Sequence, residues 1–186
     1  MELLSLYSNS PNSSDILANL LTKHFFTPPI ILCLGTDKML ADCLGALVGT
    51  NLRNSDYPNY IYGGMLAPIT HQNAQFCHDF IHAMHPFSPL IIIDSMATIT
   101  QSRLAHISVR DDYIGAVNSL NLHADLFIYG ISAILKNEHL HSAKLCNILS
   151  LNNTIIVGIK KFLKNTQKIG KNSFIPNIAH LSASKY

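Results

Sequence analysis

The sequence predicts an α/β protein built on a mostly parallel sheet with helices on both faces and an antiparallel edge. Two apolar runs carry that expectation, Ile30 to Leu34 and Leu90 to Ile93. Neither alternates with polar residues, and strands buried on both faces read as continuous apolar runs. Segments of helical periodicity separate them, so the element order is α, then βαβαβ, the pattern of parallel strands joined by crossover helices.

The elements follow in order. Met1 to Ser14 is polar enough to read as a frayed terminus. Ser13 is placed to cap a helix over about 13–24, in which Ile16, Leu17, Leu20 and Leu21 recur at helical spacing. Thr27-Pro28-Pro29 stops it, and the Ile30 strand begins. A helix from about Leu40 to Arg53 presents Leu44, Leu47 and Val48 on one face, and Asn54 to Pro58 is a turn cluster. A short strand at Tyr60 to Tyr62 passes through Gly63-Gly64 to a helix over about 70–84, which His85-Pro86 ends. The Leu90 strand finishes on Asp94. Beyond it, Ala105 to Val109 and Tyr113 to Val117 suggest an antiparallel hairpin at the sheet edge. Helices are expected over about 122–136 and 140–163, the second broken near Asn152-Asn153. Residues 1–170 form one α/β domain in this reading, and 171–186 a basic tail.

Composition limits the function classes. With 186 residues, 48% hydrophobic and 13% charged, the chain holds enough apolar mass for one sizeable core. No apolar run approaches the roughly 20 residues of a membrane span, and the amino terminus lacks the basic start of a signal peptide, so a cytoplasmic protein is expected. The four cysteines, Cys33, Cys43, Cys77 and Cys146, show no CxxC pairing and read as free buried thiols. Up to residue 138 there are eleven acidic groups and six basic ones; beyond it, seven lysines and no acid. That basic segment lacks interleaved aromatics and arginines, so a solvated helix face is expected there, not a nucleic-acid surface.

Chemistry is legible at Gly35-Thr36-Asp37, which follows the first apolar strand and leads to Asp42 in the next helix. If the Ile30 and Leu90 strands are parallel neighbours, their carboxyl ends share one rim, roughly 5 Å apart. Asp42 and Asp94 would then face each other and share a proton, one serving as base toward water and the other as proton donor. The competing use of such a rim is a metal site formed by Asp42, Asp94 and His71. The simplest alternative is that Asp37 and Asp94 only cap the next helix. His78, His82 and His85 fall at helical spacing but lack a neighbouring glutamate, and they read as a half-exposed polar face. Neither Gly63-Gly64 nor Gly35-Thr36 forms a nucleotide loop, and Ser95 has no nucleophile elbow around it.

The segment Gly35-Thr36-Asp37-Lys38, with Asp42, Leu44-Gly45 and Leu47-Val48-Gly49, resembles the "GTDRxxGDxLGPLVG" stretch of the YyaC-like spore protease family, small relatives of the germination protease. Tyr62-Gly63 with Pro68-Ile69 and Asn73, then Ile93-Asp94-Ser95, then Val109, Asp111, Ile114-Gly115 and Val117-Asn118, resemble further family segments in the same order. Leu135-Lys136-Asn137 echoes a later one. The resemblance implies a three-layer α/β/α sandwich shared with hydrogenase maturation proteases. It makes Asp42 and Asp94 the counterparts of two essential aspartates, with Gly35, Thr36, Asp37, Gly45 and Gly63 as the supporting loops. The implied function is a sporulation-associated endopeptidase that needs no cofactor. It would act on protein or peptide substrates such as small acid-soluble spore proteins, in the cytoplasm of the forespore. The alternatives are a non-enzymatic relative that binds a partner and a nickel-dependent maturation-type protease. Departures from the pattern are Ala41 and Ala46 at a glycine and a proline, Thr70 at a histidine with His71 one place later, and Arg110 at a glycine.

Overall fold

The computed structural model describes residues 1–114, 120–136 and 139–172. In chain order the elements are β1 (Glu2–Tyr7), α1 (Ser13–His24), β2 (Ile30–Cys33), a 3-10 turn (Leu40–Asp42), α2 (Leu44–Arg53), β3 (Ile61–Tyr62) and α3 (Ala74–Met84). They continue with β4 (Leu90–Thr98), β5 (His106–Arg110), β6 (Leu126–Lys136), β7 (His139–His141) and α4 (Leu145–Asn172).

One sheet runs β1-β5-β6-β4-β2-β3, with β7 attached to β6. The four strands β6, β4, β2 and β3 are parallel, and β5 and β1 continue the sheet antiparallel. The expected architecture is therefore present: a mostly parallel sheet with an antiparallel edge. Side chains alternate across it. Ile31, Cys33, Ile91 and Ile93 join Leu17 and Leu21 of α1, Leu44, Val48 and Leu52 of α2, and Ile148 to Phe162 of α4 in one core. Ile30, Leu32, Leu90, Ile92 and Phe127 face the other way, against Ala74 and Ile81 of α3. Helices thus cover both faces, which is why the strand sequences are apolar throughout.

Five expectations are corrected. The helix expected over 122–136 is the strand β6. Leu126-Phe127-Ile128-Tyr129-Gly130-Ile131 is a buried central strand, and a short apolar run cannot be assigned by periodicity when both faces are covered. Gly130 belongs there because a Cβ would lie 1.9 Å from Leu44 Cδ2. The antiparallel edge is not a hairpin of residues 105–117: β5 pairs with β1 and β6, and Tyr113 and Ile114 are not in a strand. The remainder of that expected arm, including the Gly115 and Asn118 of the family segment, lies outside the described residues, as does Asn137.

The amino terminus is not frayed. β1 pairs with β5 from Glu2↔Arg110 to Tyr7↔His106, and Glu2 is bonded by Arg103 and Ser108. Ser13 does not cap α1 either, since its hydroxyl donates to the Tyr7 carbonyl at 2.7 Å. Finally, α4 has no break at Asn152-Asn153. The Asn152 Oδ1 accepts a hydrogen bond from Asn51 of α2 at 3.1 Å, and Thr154 donates to the Ser8 carbonyl at 2.9 Å. With these side chains engaged across the interface, they do not compete for the helix backbone. The basic tail lies, beyond Asn172, outside the described residues.

α2 meets the sheet at Gly45, where a Cβ would stand 1.9 Å from the Leu34 carbonyl oxygen and 2.8 Å from that of Ile93. Gly45→Ala is expected to lower the unfolding free energy by about 2 kcal/mol or more, because rigid backbone must move on both strands. Urea denaturation of the variant measures it.

Candidate functional site

The pairing register places the carboxyl ends of β2 and β4 side by side, Cys33 opposite Ile93. Asp94 is the next residue of β4. On the β2 side the chain leaves the sheet at Leu34, whose N–H donates to the Ile93 carbonyl at 2.8 Å. It then turns at Gly35, whose φ of +134° favours glycine and whose Cβ would lie 2.2 Å from the Asp42 carbonyl oxygen. The Thr36 N–H donates to that same oxygen at 3.0 Å. Gly35 and Thr36 therefore fold the loop back so that Asp42 comes to lie over the rim.

A cavity of about 420 Å³ opens at this rim, and Asp42, Asp94, His71, Thr70 and Gly35 all line it. Much of the remaining wall is apolar, from Leu34, Met96, Ile114, Leu120 and Leu135. Asp94 keeps only partial solvent contact through the cavity. Burial, and then the charge of Asp42, push its carboxyl up to about 7, against the pull of the Ser95 N–H, which donates to Asp94 Oδ1 at 2.7 Å. The Asp42 carboxyl is also raised by burial, with a counteracting influence from His71. Asp42 is thus the first of the two to ionise, and its charge helps Asp94 to hold a proton into the neutral range.

Of the other predicted site residues, Asp37 is exposed and does not line the cavity; it belongs to the loop. Gly45 allows α2 to start against the strand ends. Gly63, at φ +86°, passes so close to β2 that a Cβ would lie 2.0 Å from the Cys33 carbonyl oxygen, which places it beneath the rim and outside the cavity. His71 shares the cavity with both aspartates. Among the described residues, however, no three His, Cys, Asp or Glu side chains converge as a metal site would require. His78, the first of the three histidines expected on a half-exposed polar face, is instead buried and accepts from the His123 N–H at 2.9 Å, tying α3 to the chain before β6. Of the cysteines, Cys33 and Cys43 are buried, Cys77 is partly so and Cys146 is exposed.

Three residues hold the site together, of which Ser132 and Tyr129 lie in no motif and Ser95 lies in one that does not reveal its structural role. The Ser95 hydroxyl accepts from the Leu44 N–H at 3.3 Å, linking the first turn of α2 to the residue after Asp94. Ser132 donates to the Ala41 carbonyl at 2.5 Å, anchoring the turn that carries Asp42 to β6. Tyr129, stacked on Phe127, accepts from the Ile114 N–H at 3.0 Å and so holds a segment whose Ile114 lines the cavity. Their one sequence signal is that Tyr129 and Ser132 are polar positions inside an otherwise apolar strand.

HycI from Thermococcus kodakarensis KOD1, a [NiFe] hydrogenase maturation protease, has a similar fold, with a TM-score of 0.50 and 12% identity over 77% of this chain and 99% of its own. The chain itself belongs to the family described as "Protein of unknown function (DUF1256)", which matches residues 5–158. A relative from Bacillus subtilis (strain 168), "Uncharacterized protein YyaC", is 26% identical over 152 residues, 77% of this chain and 74% of that one. The resemblance in fold and family agrees with the one carried by the loop motifs.

Asp94 has a direct thermodynamic signature. Unfolded aspartates have lost their proton by about pH 4, whereas Asp94 keeps its proton to about 7, so between these values the folded state binds more protons. The contribution of Asp94 to stability should therefore fall as pH rises from about 4 to 7, by up to about 4 kcal/mol. Asp94→Asn should remove that dependence, as read from urea denaturation at a series of pH values. In Asp42→Asn, the carboxyl resonance of Asp94 should titrate lower than in the native protein.

Proposed function

We propose that the protein is an endopeptidase that hydrolyses peptide bonds with Asp42 and Asp94 as a proton-sharing pair. The observation that carries this reading is the placement of two raised, electrostatically coupled carboxyls in one largely apolar cavity at the strand rim. Around neutral pH the pair holds one proton, on Asp94. Asp42 takes a proton from a water molecule whose oxygen attacks the peptide carbonyl carbon. Asp94 gives its proton to the carbonyl oxygen, which avoids a bare oxyanion in a weakly polar site. As the C–N bond breaks, the departing amine takes the proton held by Asp42. The carbonyl re-forms and returns its proton to Asp94, so the pair is restored. No step is routed through a metal, because the donor set does not converge.

The substrate class follows from the resemblance to the germination protease group: protein or peptide segments, small acid-soluble spore proteins among them, cleaved during sporulation in the cytoplasm of the forespore. No helix of the described residues is long and apolar enough to cross a membrane, which is compatible with that setting.

The test is cleavage of purified small acid-soluble spore proteins, followed by mass spectrometry of the fragments. Asp42→Asn and Asp94→Asn should each lower kcat/KM by about a thousandfold or more. The pH profile should be bell-shaped, its falling limb near 7 where Asp94 loses its proton, and a chelator should leave the rate unchanged. Full activity in both variants would sink the reading.

A further inference from the structure

Past Ile93, one edge of β4 has no strand beside it among the described residues. β2 accompanies β4 from Ile30↔Leu90 to Cys33↔Ile93 and then ends, whereas β6 continues beside it to Thr98. Ile93 offers its carbonyl toward β2, where the Leu34 N–H takes it. Backbone groups alternate along a strand, so Ser95 and Ala97 face the same side. The register irregularity after Met96 inserts Ser132 on β6, and the alternation of β4 itself is unbroken. The Ser95 N–H is occupied by Asp94 Oδ1. By the same alternation the Ser95 carbonyl and both backbone groups of Ala97 are turned to the side that β2 has left, without a backbone partner from the loops among the described residues, and Ser95, Met96 and Ala97 line the cavity. The stretch from Asp94 to Thr98 is only partly buried.

We propose that this edge is the substrate-docking site, where an extended polypeptide segment occupies the gap left by the end of β2 and pairs with Ser95–Ala97 as an added strand. The proposal rests on the peptidase reading and specifies the form of its substrate. Open donors and acceptors along a strand are a template for another strand, and main-chain pairing of this kind supplies affinity without a fixed sequence. The edge begins at Asp94 itself, so a segment bound there is carried directly past both carboxyls. Leu34, Gly35, Thr70 and His71 line the same cavity. The apolar wall at Leu34, Met96, Ile114 and Leu120 selects uncharged side chains at alternate positions of the bound segment. A folded turn or helix would satisfy neither the edge nor the slot, so the cleaved segment must be extended and unpaired.

The probe is a fluorescein-labelled peptide of alternating threonine and valine flanked by lysines, and binding is read by anisotropy on Asp42→Asn so that the peptide is not consumed. Ala97→Pro, added to that background, deletes the one N–H facing the cavity while an extended backbone still accommodates proline. It should weaken binding about tenfold, with Ala97→Val staying within about twofold. A peptide N-methylated at alternate residues tests the same pairing on an unaltered fold and should also bind about tenfold more weakly. No binding of the parent peptide, or equal binding of all three forms, overturns the proposal. Ala97-dependent binding without cleavage of any spore protein by the native protein would support the docking edge and overturn the peptidase reading alone. Cleavage that Ala97→Pro leaves at the native rate would do the reverse.

Discussion

The site depends on how closely α2 approaches the ends of β2 and β4. Gly45 lies within a side chain's breadth of the carbonyl oxygens of Leu34 and Ile93, one on each strand. Only at that separation can the Leu44 N–H reach Ser95 and the turn before it hang from Ser132. Asp42 is thereby held over a rim to which Asp94 is already fixed by strand pairing. The two carboxyls come from segments about fifty residues apart, and neither is placed by its own neighbours. Backbone contact fixes the geometry, which is less forgiving of substitution than side-chain packing and also less mobile.

The electrostatics follow from that placement. Most charged groups that the fold pairs are at its periphery, such as Glu2 with Arg103 and Lys161 with Asp15. Among the described residues Asp42 and Asp94 have no basic partner at hydrogen-bonding distance, and they face a mostly apolar wall. A carboxylate so placed is costly, and protonation of one member relieves the cost. The arrangement forgoes stability near neutral pH, as sites built for proton transfer commonly do. His71 moderates Asp42 from the same cavity, so the two groups are driven apart in proton affinity although they are chemically identical.

How much was legible in the sequence divides along local and distant interactions. The strands at Ile30 and Leu90, the helices at 44–53 and 74–84, and the common rim for Asp42 and Asp94 follow from apolar runs, glycine turns and proline stops, all of which act within a few residues. β6 escaped because a strand covered on both faces has the same composition as a buried helix, and only Gly130 hinted at close packing. β1 escaped because its partner β5 lies about a hundred residues away, and nothing in Glu2-Leu3-Leu4-Ser5 reveals that pairing. The polar residues Ser132 and Tyr129, and the structural role of Ser95, escaped for the same reason. Each makes a hydrogen bond to a segment remote in the chain, whereas motif reading rewards neighbours. Asn152-Asn153 misled in the opposite direction, since a residue that often interrupts helices was satisfied by a side chain on another one.

The chain closes its sheet with its own first strand, and this has a consequence for how the protein is made. β1 can find its place only after β5 exists, and α1 finds its helical partner only when α4 has been synthesised, nearly the whole chain later. During synthesis β1 and α1 must therefore wait, with Leu17, Leu21 and the apolar side of β1 uncovered. Closure over such distances slows the last stage of folding and leaves an adhesive intermediate on the ribosome. The finished molecule gains a corresponding property: its two halves are fastened by contacts from opposite ends of the chain. Cutting the chain near its start would loosen the sheet edge and the helical layer behind the site together.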